Sequence, residues 1–152
     1  MSDLTVRPME PGDLEAIERI EETVFSTPWS LSAFREGLAV GASVSWTALA
    51  GGRVVGYLVS WVVEDELHIG NVAVAPAFQG KGVARALVER SLQDAAARGV
   101  TWVALEVRRS NECATRLYDS FGFRRIGVRR GYYSDNGEDA IVMAFEMGED
   151  VE

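Results

Sequence analysis

Between a predicted strand and a predicted helix lies a short glycine-rich segment, Gln79-Gly80-Lys81-Gly82-Val83-Ala84. The strand ends near Val74, and apolar residues spaced three and four apart predict that the helix runs to about Arg98-Gly99. The first N–H groups of a helix have no partner inside it, and the helix dipole makes that end positive. The segment therefore predicts a site for a phosphate-bearing ligand. A glycine-rich helix entry that binds nothing is the alternative interpretation.

The loop differs from two common nucleotide-binding motifs. A Walker loop has a hydroxyl residue directly after its lysine to hold magnesium, whereas here Gly82 follows Lys81. A Rossmann fingerprint follows the first strand of its fold and has an acidic residue about 20 residues further on. In this chain an antiparallel run of three predicted strands precedes the loop, and Glu106 comes late, at the end of a strand. Cofactors of the NAD type are therefore disfavoured.

The remaining apolar patterns alternate between strand and helix periodicity. In chain order they predict a strand at 4–9, a helix from Leu14 to Val24, a helix carrying Leu31, Phe34 and Leu38, strands at 43–49, 53–63, 67–74 and 100–107, a helix at 111–121, and strands at 123–129 and 139–147. The run at 100–107 is almost entirely apolar, which predicts a strand buried on both faces. We expect one α/β (α+β) domain over residues 1–147, followed by a disordered acidic tail at 148–152.

Composition limits the functions that this chain can have. Its 152 residues fit a single domain, and its formal net charge of −8 disfavours direct nucleic-acid binding and favours a basic partner. One cysteine, Cys113, and one histidine, His68, can form neither an internal disulfide nor a zinc site, so we expect no metal. The chain shows no apolar stretch of membrane-spanning length and no signal-peptide pattern, which predicts a cytoplasmic protein without membrane contact.

Five sequence blocks, taken together, point to a known family. They are Phe25-x-x-Pro28-Trp29-Ser30; Asn71-Val72-Ala73-Val74-x-Pro76; the glycine-rich loop; Leu105-Glu106-Val107-Arg108-x-Ser110-Asn111 with Leu117-Tyr118-x-x-Phe121-Gly122-Phe123; and Arg130-x-Tyr132-Tyr133 with Gly137-Glu138-Asp139-Ala140-Ile141-x-Met143. In this order they resemble the GNAT (Gcn5-related) N-acetyltransferases, and most closely the bacterial ribosomal-protein alanine N-acetyltransferases. The last block is the most particular to that branch.

The resemblance implies a fold and a cofactor site. The fold is a mixed central sheet of about seven strands, splayed between the fourth and fifth and flanked by about four helices, with acetyl-CoA lying in the gap. An amide-containing ligand can satisfy the unpaired backbone groups of such a gap. The implied cofactor contacts are the backbone of Val72, Ala73 and Val74 for the pantetheine arm, the N–H groups of Gly80, Lys81, Gly82, Val83, Ala84 and Arg85 for the pyrophosphate, and Asn111.

Direct acetyl transfer requires a base for the amine and an acid for the departing thiolate. Glu106 is the only charged residue in the 100–107 run, and its sequence position fits either a solvated rim or a cleft. Tyr118 has a phenol that stays protonated at neutral pH, although a helical tyrosine is more often a core aromatic. The resemblance implies that Glu106 is the general base, acting through water, and that Tyr118 is the proton donor.

The other candidate residues have weaker signals. Trp29, Tyr132 and Tyr133 lie in predicted loops and are candidates to line an acceptor groove, although buried aromatics at loop bases are the alternative. We interpret His68 as structural and Cys113 as a packing residue, because no histidine lies near Cys113 in the sequence to activate its thiol.

The resemblance implies acetylation of a protein N-terminal α-amine, that of an alanine on a small-subunit ribosomal protein, whose acceptor segment would be a basic tail. Two other functions remain open from the sequence. One is acetylation of a small amine or an internal lysine, and the other is an acyl-CoA-binding regulatory module without turnover.

Overall fold

The computed structural model describes residues 3–24 and 43–147. Trp29, the predicted helix carrying Leu31, Phe34 and Leu38, and the predicted tail at 148–152 lie outside the described residues.

The described residues form seven strands and three α-helices. The strands are β1 (Leu4–Pro8), β2 (Trp46–Ala50), β3 (Arg53–Val63), β4 (Glu66–Val74), β5 (Trp102–Arg108), β6 (Arg124–Arg129) and β7 (Ala140–Glu146). The helices are α1 (Leu14–Val24), α2 (Val83–Ala97) and α3 (Glu112–Ser120), with single 3-10 turns at Pro11–Asp13 and Pro76–Phe78. The predicted elements that fall on described residues are present, and their ends differ by a few residues.

The strands form one mixed sheet in the order β1-β2-β3-β4-β5-β7-β6. Neighbours run antiparallel except for β4 and β5, which are parallel. A larger apolar core includes Leu87 and Val88 of α2 and Tyr118 of α3. A smaller core places Ile17 of α1 against Tyr57 and Ala73 of the sheet. The helices thus cover both faces of the sheet, and the predicted mixed seven-stranded fold is confirmed.

One prediction about β5 is wrong. Its residues alternate in burial: Val103, Leu105 and Val107 are buried, whereas the side chains between them are partly exposed. The buried set faces the larger core, and the other face carries Glu106 toward a cavity instead of a second packed layer. An apolar run is therefore not enough to show that both faces of a strand are covered.

The parallel pairing between β4 and β5 is short. It runs from Glu66 opposite Trp102 to Ile69 opposite Leu105 and then stops, although β4 continues to Val74. The sheet therefore opens between its fourth and fifth strands, as predicted, and leaves a gap beside the last residues of β4.

A β-bulge lies where the gap begins. In the pairing of β3 with β4, Val59 faces Asn71 and Ser60 faces Ile69, so Gly70 is an extra residue in β4. A Cβ atom on Gly70 would lie 2.5 Å from the Trp61 ring, which means that only glycine allows this ring to pack there. Bulges bend a strand and raise its twist. We attribute the separation of β4 from β5 to this bend.

Candidate active site

A cavity of about 530 Å³ lies along the open side of β4. It is lined by all of the predicted cofactor-contact residues except Lys81, namely Val72, Ala73, Val74, Gly80, Gly82, Val83, Ala84, Arg85 and Asn111. Lys81 is exposed. The structure therefore brings the end of β4, the glycine-rich loop and the start of α3 together around one cavity.

The glycine-rich loop has the geometry of an anion site. Gly80 and Gly82 have φ angles of +78° and +85°, and a Cβ atom on either would meet nothing within 4 Å. Gly82 is the N-cap of α2. Because glycine has no side chain, no side-chain cap is made to the first N–H groups of the helix. Open space in front of unbonded amides suits a pyrophosphate.

Gln79 holds this loop in place. Its side-chain Nε2 donates a hydrogen bond to the carbonyl oxygen of Val74 at 3.0 Å. The contact fastens the loop to the last residue of β4, and thus fixes the amides of the loop relative to the gap. Sequence reasoning included Gln79 in the motif but assigned it no role, because nothing in the sequence shows which carbonyl it reaches.

A second cavity, of about 240 Å³, lies on the other side of the gap. It is lined by Glu106 and Tyr133, among others, and shares four lining residues with the larger cavity: Val72, Asn111, Ala114 and Tyr118. The two cavities therefore meet at the point where β4 and β5 separate. A ligand in the larger cavity and a ligand in the smaller one can approach each other there.

Glu106 lies in the cleft rather than on a solvated rim. Its side chain is 14% exposed. The carboxylate is held at both oxygens: Oε1 lies 2.8 Å from Nε2 of His68, and Oε2 accepts a hydrogen bond from Nε of Arg129 at 3.2 Å. His68 therefore contacts a predicted catalytic residue, which its position in the sequence did not indicate.

Tyr118 is both a core aromatic and a residue of the site. It is buried in the larger core, where its ring lies 5.5 Å from that of Phe123, and it also lines both cavities. Burial raises the pKa of the Tyr118 phenol well above its usual value. The hydroxyl therefore stays protonated and available as a donor across the physiological pH range.

Tyr133 and Tyr132 differ in position. Tyr133 lines the smaller cavity, and burial raises its pKa to about 12. The guanidinium of Arg108 lies 4.0 Å from the centre of the Tyr133 ring and forms ion pairs with Asp135 and Glu138, which hold the 131–139 loop in place. Tyr132 is 49% exposed and packs edge-on against Tyr133 instead of lining the cavity.

Sequence reasoning missed a buried carboxylate, Glu21 of α1. It lines the smaller cavity and is 1% exposed. The Tyr57 hydroxyl donates a hydrogen bond to Oε1 of Glu21. The side-chain Nδ2 of Asn71 donates to both carboxylate oxygens of Glu21, each at 3.3 Å. The available signal was the helical spacing, because Glu21 follows the buried Ile17 by four residues and so lies on the apolar face.

The assignment of Cys113 to packing is wrong. The residue is exposed and lines the larger cavity. It lies in the first turn of α3, beside the gap, where the helix faces the cavity instead of the core.

Within residues 3–24 and 43–147, no group of three or more histidine, cysteine, aspartate or glutamate side chains is placed to hold a metal ion. In the same ranges, no helix is long and apolar enough to cross a bilayer.

These features define a class of protein. A sheet that opens beside a glycine-rich helix entry, with a carboxylate and a phenol lining the same cavity at the opening, is the arrangement expected of an acetyltransferase. Residues 14–123 match the model of the acetyltransferase (GNAT) family. The chain belongs to this family, and acetyl-CoA is its acyl donor.

The chain is similar to named N-acetyltransferases over nearly its whole length. The chain is 37% identical over 145 residues to the ribosomal protein bS18-alanine N-acetyltransferase of Escherichia coli, covering 94% of this chain and 97% of that protein. It is 35% identical over 152 residues to the N-alpha-acetyltransferase RimI of Mycobacterium tuberculosis, covering 96% and 94%. The crystal structure of the ribosomal-protein-S18-alanine N-acetyltransferase from Escherichia coli superposes with a TM-score of 0.89 at 35% identity, covering 98% and 99% of the chains.

Proposed function

We propose that this enzyme acetylates the N-terminal α-amine of a protein, and that its acceptor is the N-terminal alanine of a small-subunit ribosomal protein. The observation that carries the proposal is the pair of adjoining cavities, with Glu106 lining the smaller one and Tyr118 lining both. The specificity of the Escherichia coli relative supports alanine on a ribosomal protein. A ribosomal acceptor implies that the enzyme acts in the cytoplasm. The net charge of −8 favours an acceptor with a basic N-terminal tail.

Acetyl-CoA, when bound, supplies the acetyl group as a thioester. The edge of β4 that faces away from β3 at Val72, Ala73 and Val74 has no strand partner among the described residues and binds the pantetheine arm, and the amides from Gly80 to Arg85 bind the pyrophosphate. Asn111 contacts the cofactor from the start of α3, where its side-chain oxygen already caps the helix by accepting from the N–H of Ala114 at 3.1 Å. The side-chain amide nitrogen of Asn111 is then the group directed at the ligand.

The loop assignment predicts that Gly82→Val abolishes acetyl-CoA binding. A valine there would fill the open space in front of the amides, and φ of +85° strains any β-branched residue. Isothermal calorimetry on the folded variant measures the loss of affinity.

The matched control is Gly99→Val, at the other end of the same helix. Gly99 has a φ of +82° and equally open surroundings, so the backbone strain is the same while the cavity is untouched. Unchanged affinity in folded Gly82→Val, or an equal loss in Gly99→Val, would contradict the assignment.

Glu106 and Tyr118 divide the proton transfers of the reaction. Glu106 takes a proton from the acceptor amine through a water molecule, so that the neutral amine attacks the carbonyl carbon. As the new C–N bond forms and the C–S bond breaks, the nitrogen gives up a second proton to solvent and the Tyr118 hydroxyl donates a proton to the departing sulfur. Glu106 then releases its proton to solvent and the Tyr118 phenolate regains one, so each turnover releases one proton for each protonated amine consumed. Burial raises the pKa of the Tyr118 phenol, so the hydroxyl is protonated at neutral pH before the step begins.

We expect the enzyme to prefer N-terminal amines to lysines. An α-amine has a pKa of about 7.7–8.0 and a lysine about 10.4, so forming the free amine at neutral pH costs about 3.5 kcal/mol more for lysine. The measurement is kcat/KM for an alanine-initiated peptide against the same peptide with a blocked N-terminus and one internal lysine, with serine- and methionine-initiated peptides as a series.

The result of that comparison separates the candidate functions. A lysine that outcompetes the matched alanine N-terminus would reject the α-amine acceptor and leave acetyl transfer in place. Transfer only to small amines would show that the acceptor is a small molecule and not a protein. A protein that holds acetyl-CoA but releases no CoA with any acceptor would be a binding module.

We further propose that residues 1–147 form a single domain. The continuous seven-stranded sheet, which runs from β1 to β7, supports the single domain.

A further inference from the structure

His68 lies on β4, diagonally across the parallel strand pair from the proposed base. It faces Ala104 of β5, two residues before Glu106, and the next pair, Ile69 with Leu105, is the last before the sheet opens. The Nε2 atom of His68 lies 2.8 Å from Oε1 of Glu106. We propose that His68 is a positioning residue that holds the Glu106 carboxylate in the orientation needed to take the proton of the acceptor amine, an inference that rests on the proposed role of Glu106 as the base.

The carboxylate needs such a partner because its own side chain is flexible. Glutamate has three rotatable bonds, and a general base works only within hydrogen-bond reach of the proton or of a bridging water. His68 holds Oε1 while Arg129 holds Oε2 at 3.2 Å. Each carboxylate oxygen accepts about two hydrogen bonds, so these two contacts fix the plane of the group and leave acceptor positions for the bridging water.

Of the two partners, His68 comes from an inner strand of the sheet. The side chain of Arg129 is 58% exposed and comes from the edge strand β6. The ring of His68 packs against Trp61, with 6.4 Å between the ring centres, and Trp61 is the side chain that covers Gly70 at the bulge. The orientation of Glu106 is thereby tied to the same feature that opens the sheet.

Stability alone does not account for the pair. The His68 side chain is 49% exposed, and an exposed ion pair or hydrogen bond of this kind contributes little to the free energy of unfolding. We therefore expect variants at position 68 to fold with a nearly unchanged melting temperature, so that their kinetics report on Glu106.

The test is a kinetic double-mutant cycle with the acceptor that the peptide comparison selects. His68→Leu removes the N–H and is expected to lower kcat about tenfold with little change in KM, within the range for coupled neighbours. His68→Gln retains an N–H at nearly the same position and is expected to restore most of kcat. In a Glu106→Gln background, His68→Leu is expected to cause no further loss, because the group that it orients is already gone.

Glu66→Leu is the matched control, since Glu66 is exposed and precedes His68 by two residues on β4. It is expected to have the parent kcat. His68→Leu with the parent kcat, an equal loss in both backgrounds, or no rescue by His68→Gln would overturn the positioning role while leaving Glu106 as the base. Glu106→Gln at the full parent rate would overturn both the base and the positioning role, which distinguishes the two failures.

Discussion

Replacing Tyr118 by phenylalanine is expected to leave the fold and the acetyl-CoA affinity intact and to lower kcat by about 10²–10⁴-fold, the usual contribution of a general acid. The ring of Tyr118 packs against Phe123 in the larger core, and phenylalanine preserves that contact. Only the hydroxyl at the junction of the two cavities is lost. Single-turnover CoA release at saturating substrate measures the chemical step, and calorimetry measures the affinity.

The same assignment predicts how kcat of the parent enzyme depends on pH. A general acid must be protonated, and burial raises the pKa of the Tyr118 phenol above its usual value of about 10. The parent kcat is therefore expected to show no alkaline decline up to about pH 10. Parent-level turnover in Tyr118→Phe, with normal acetyl-CoA binding, would show that the phenol is only a core aromatic.

Glu106→Gln is expected to produce a defect of similar size that depends strongly on pH. Near neutrality most acceptor amines are protonated, and glutamine cannot take up the proton, so kcat/KM falls by about 10²–10⁴-fold. At higher pH the amine arrives already deprotonated, since its unperturbed pKa is about 7.7–8.0, and part of the defect is expected to disappear. In the parent enzyme kcat/KM is expected to rise with pH to a plateau.

The measurement is the full pH–rate profile of both enzymes with the same peptide. The melting temperature of the variant serves as the control for folding, because glutamine keeps the shape of the side chain and one oxygen for His68 or Arg129. A Glu106→Gln enzyme with the parent profile at every pH would show that the carboxylate in the cleft is not the base.

Local sequence patterns predicted the order of the elements and the phosphate-binding loop, whereas the other cofactor-contact residues around the larger cavity came from the family resemblance. The glycine-rich loop carries its own signal, because two positive φ angles require glycine at Gly80 and Gly82 and the following apolar spacing requires a helix. The opening of the sheet between β4 and β5 came from the family resemblance. Nothing in the local pattern of β4 distinguishes a strand that stays paired from one that diverges.

The contacts that sequence patterns could not predict join residues far apart in the chain. His68 and Glu106 are 38 positions apart, and they meet only because of the register of the parallel pair. Glu21 and Asn71 are 50 positions apart and meet because α1 crosses the face of β4. For β5, the apolar run predicts a strand covered on both faces, but composition does not show what covers each face, and one face carries Glu106 toward a cavity.

The extra residue at Gly70 has a consequence for how such a strand evolves. The extra residue shifts the alternation of β4 by one position. Ile69 before the bulge and Val74 after it therefore both face the larger core, while Ala73 faces the smaller one. In a bulge, the two residues that oppose one partner point roughly to the same side of the sheet. Deleting Gly70 would therefore leave each remaining residue of β4 facing the same core as before, while the strand would become straighter. A gene that lost this one codon would still encode a foldable sheet, but one without its cleft. Folding of the sheet therefore does not require the extra residue, whereas the cleft does.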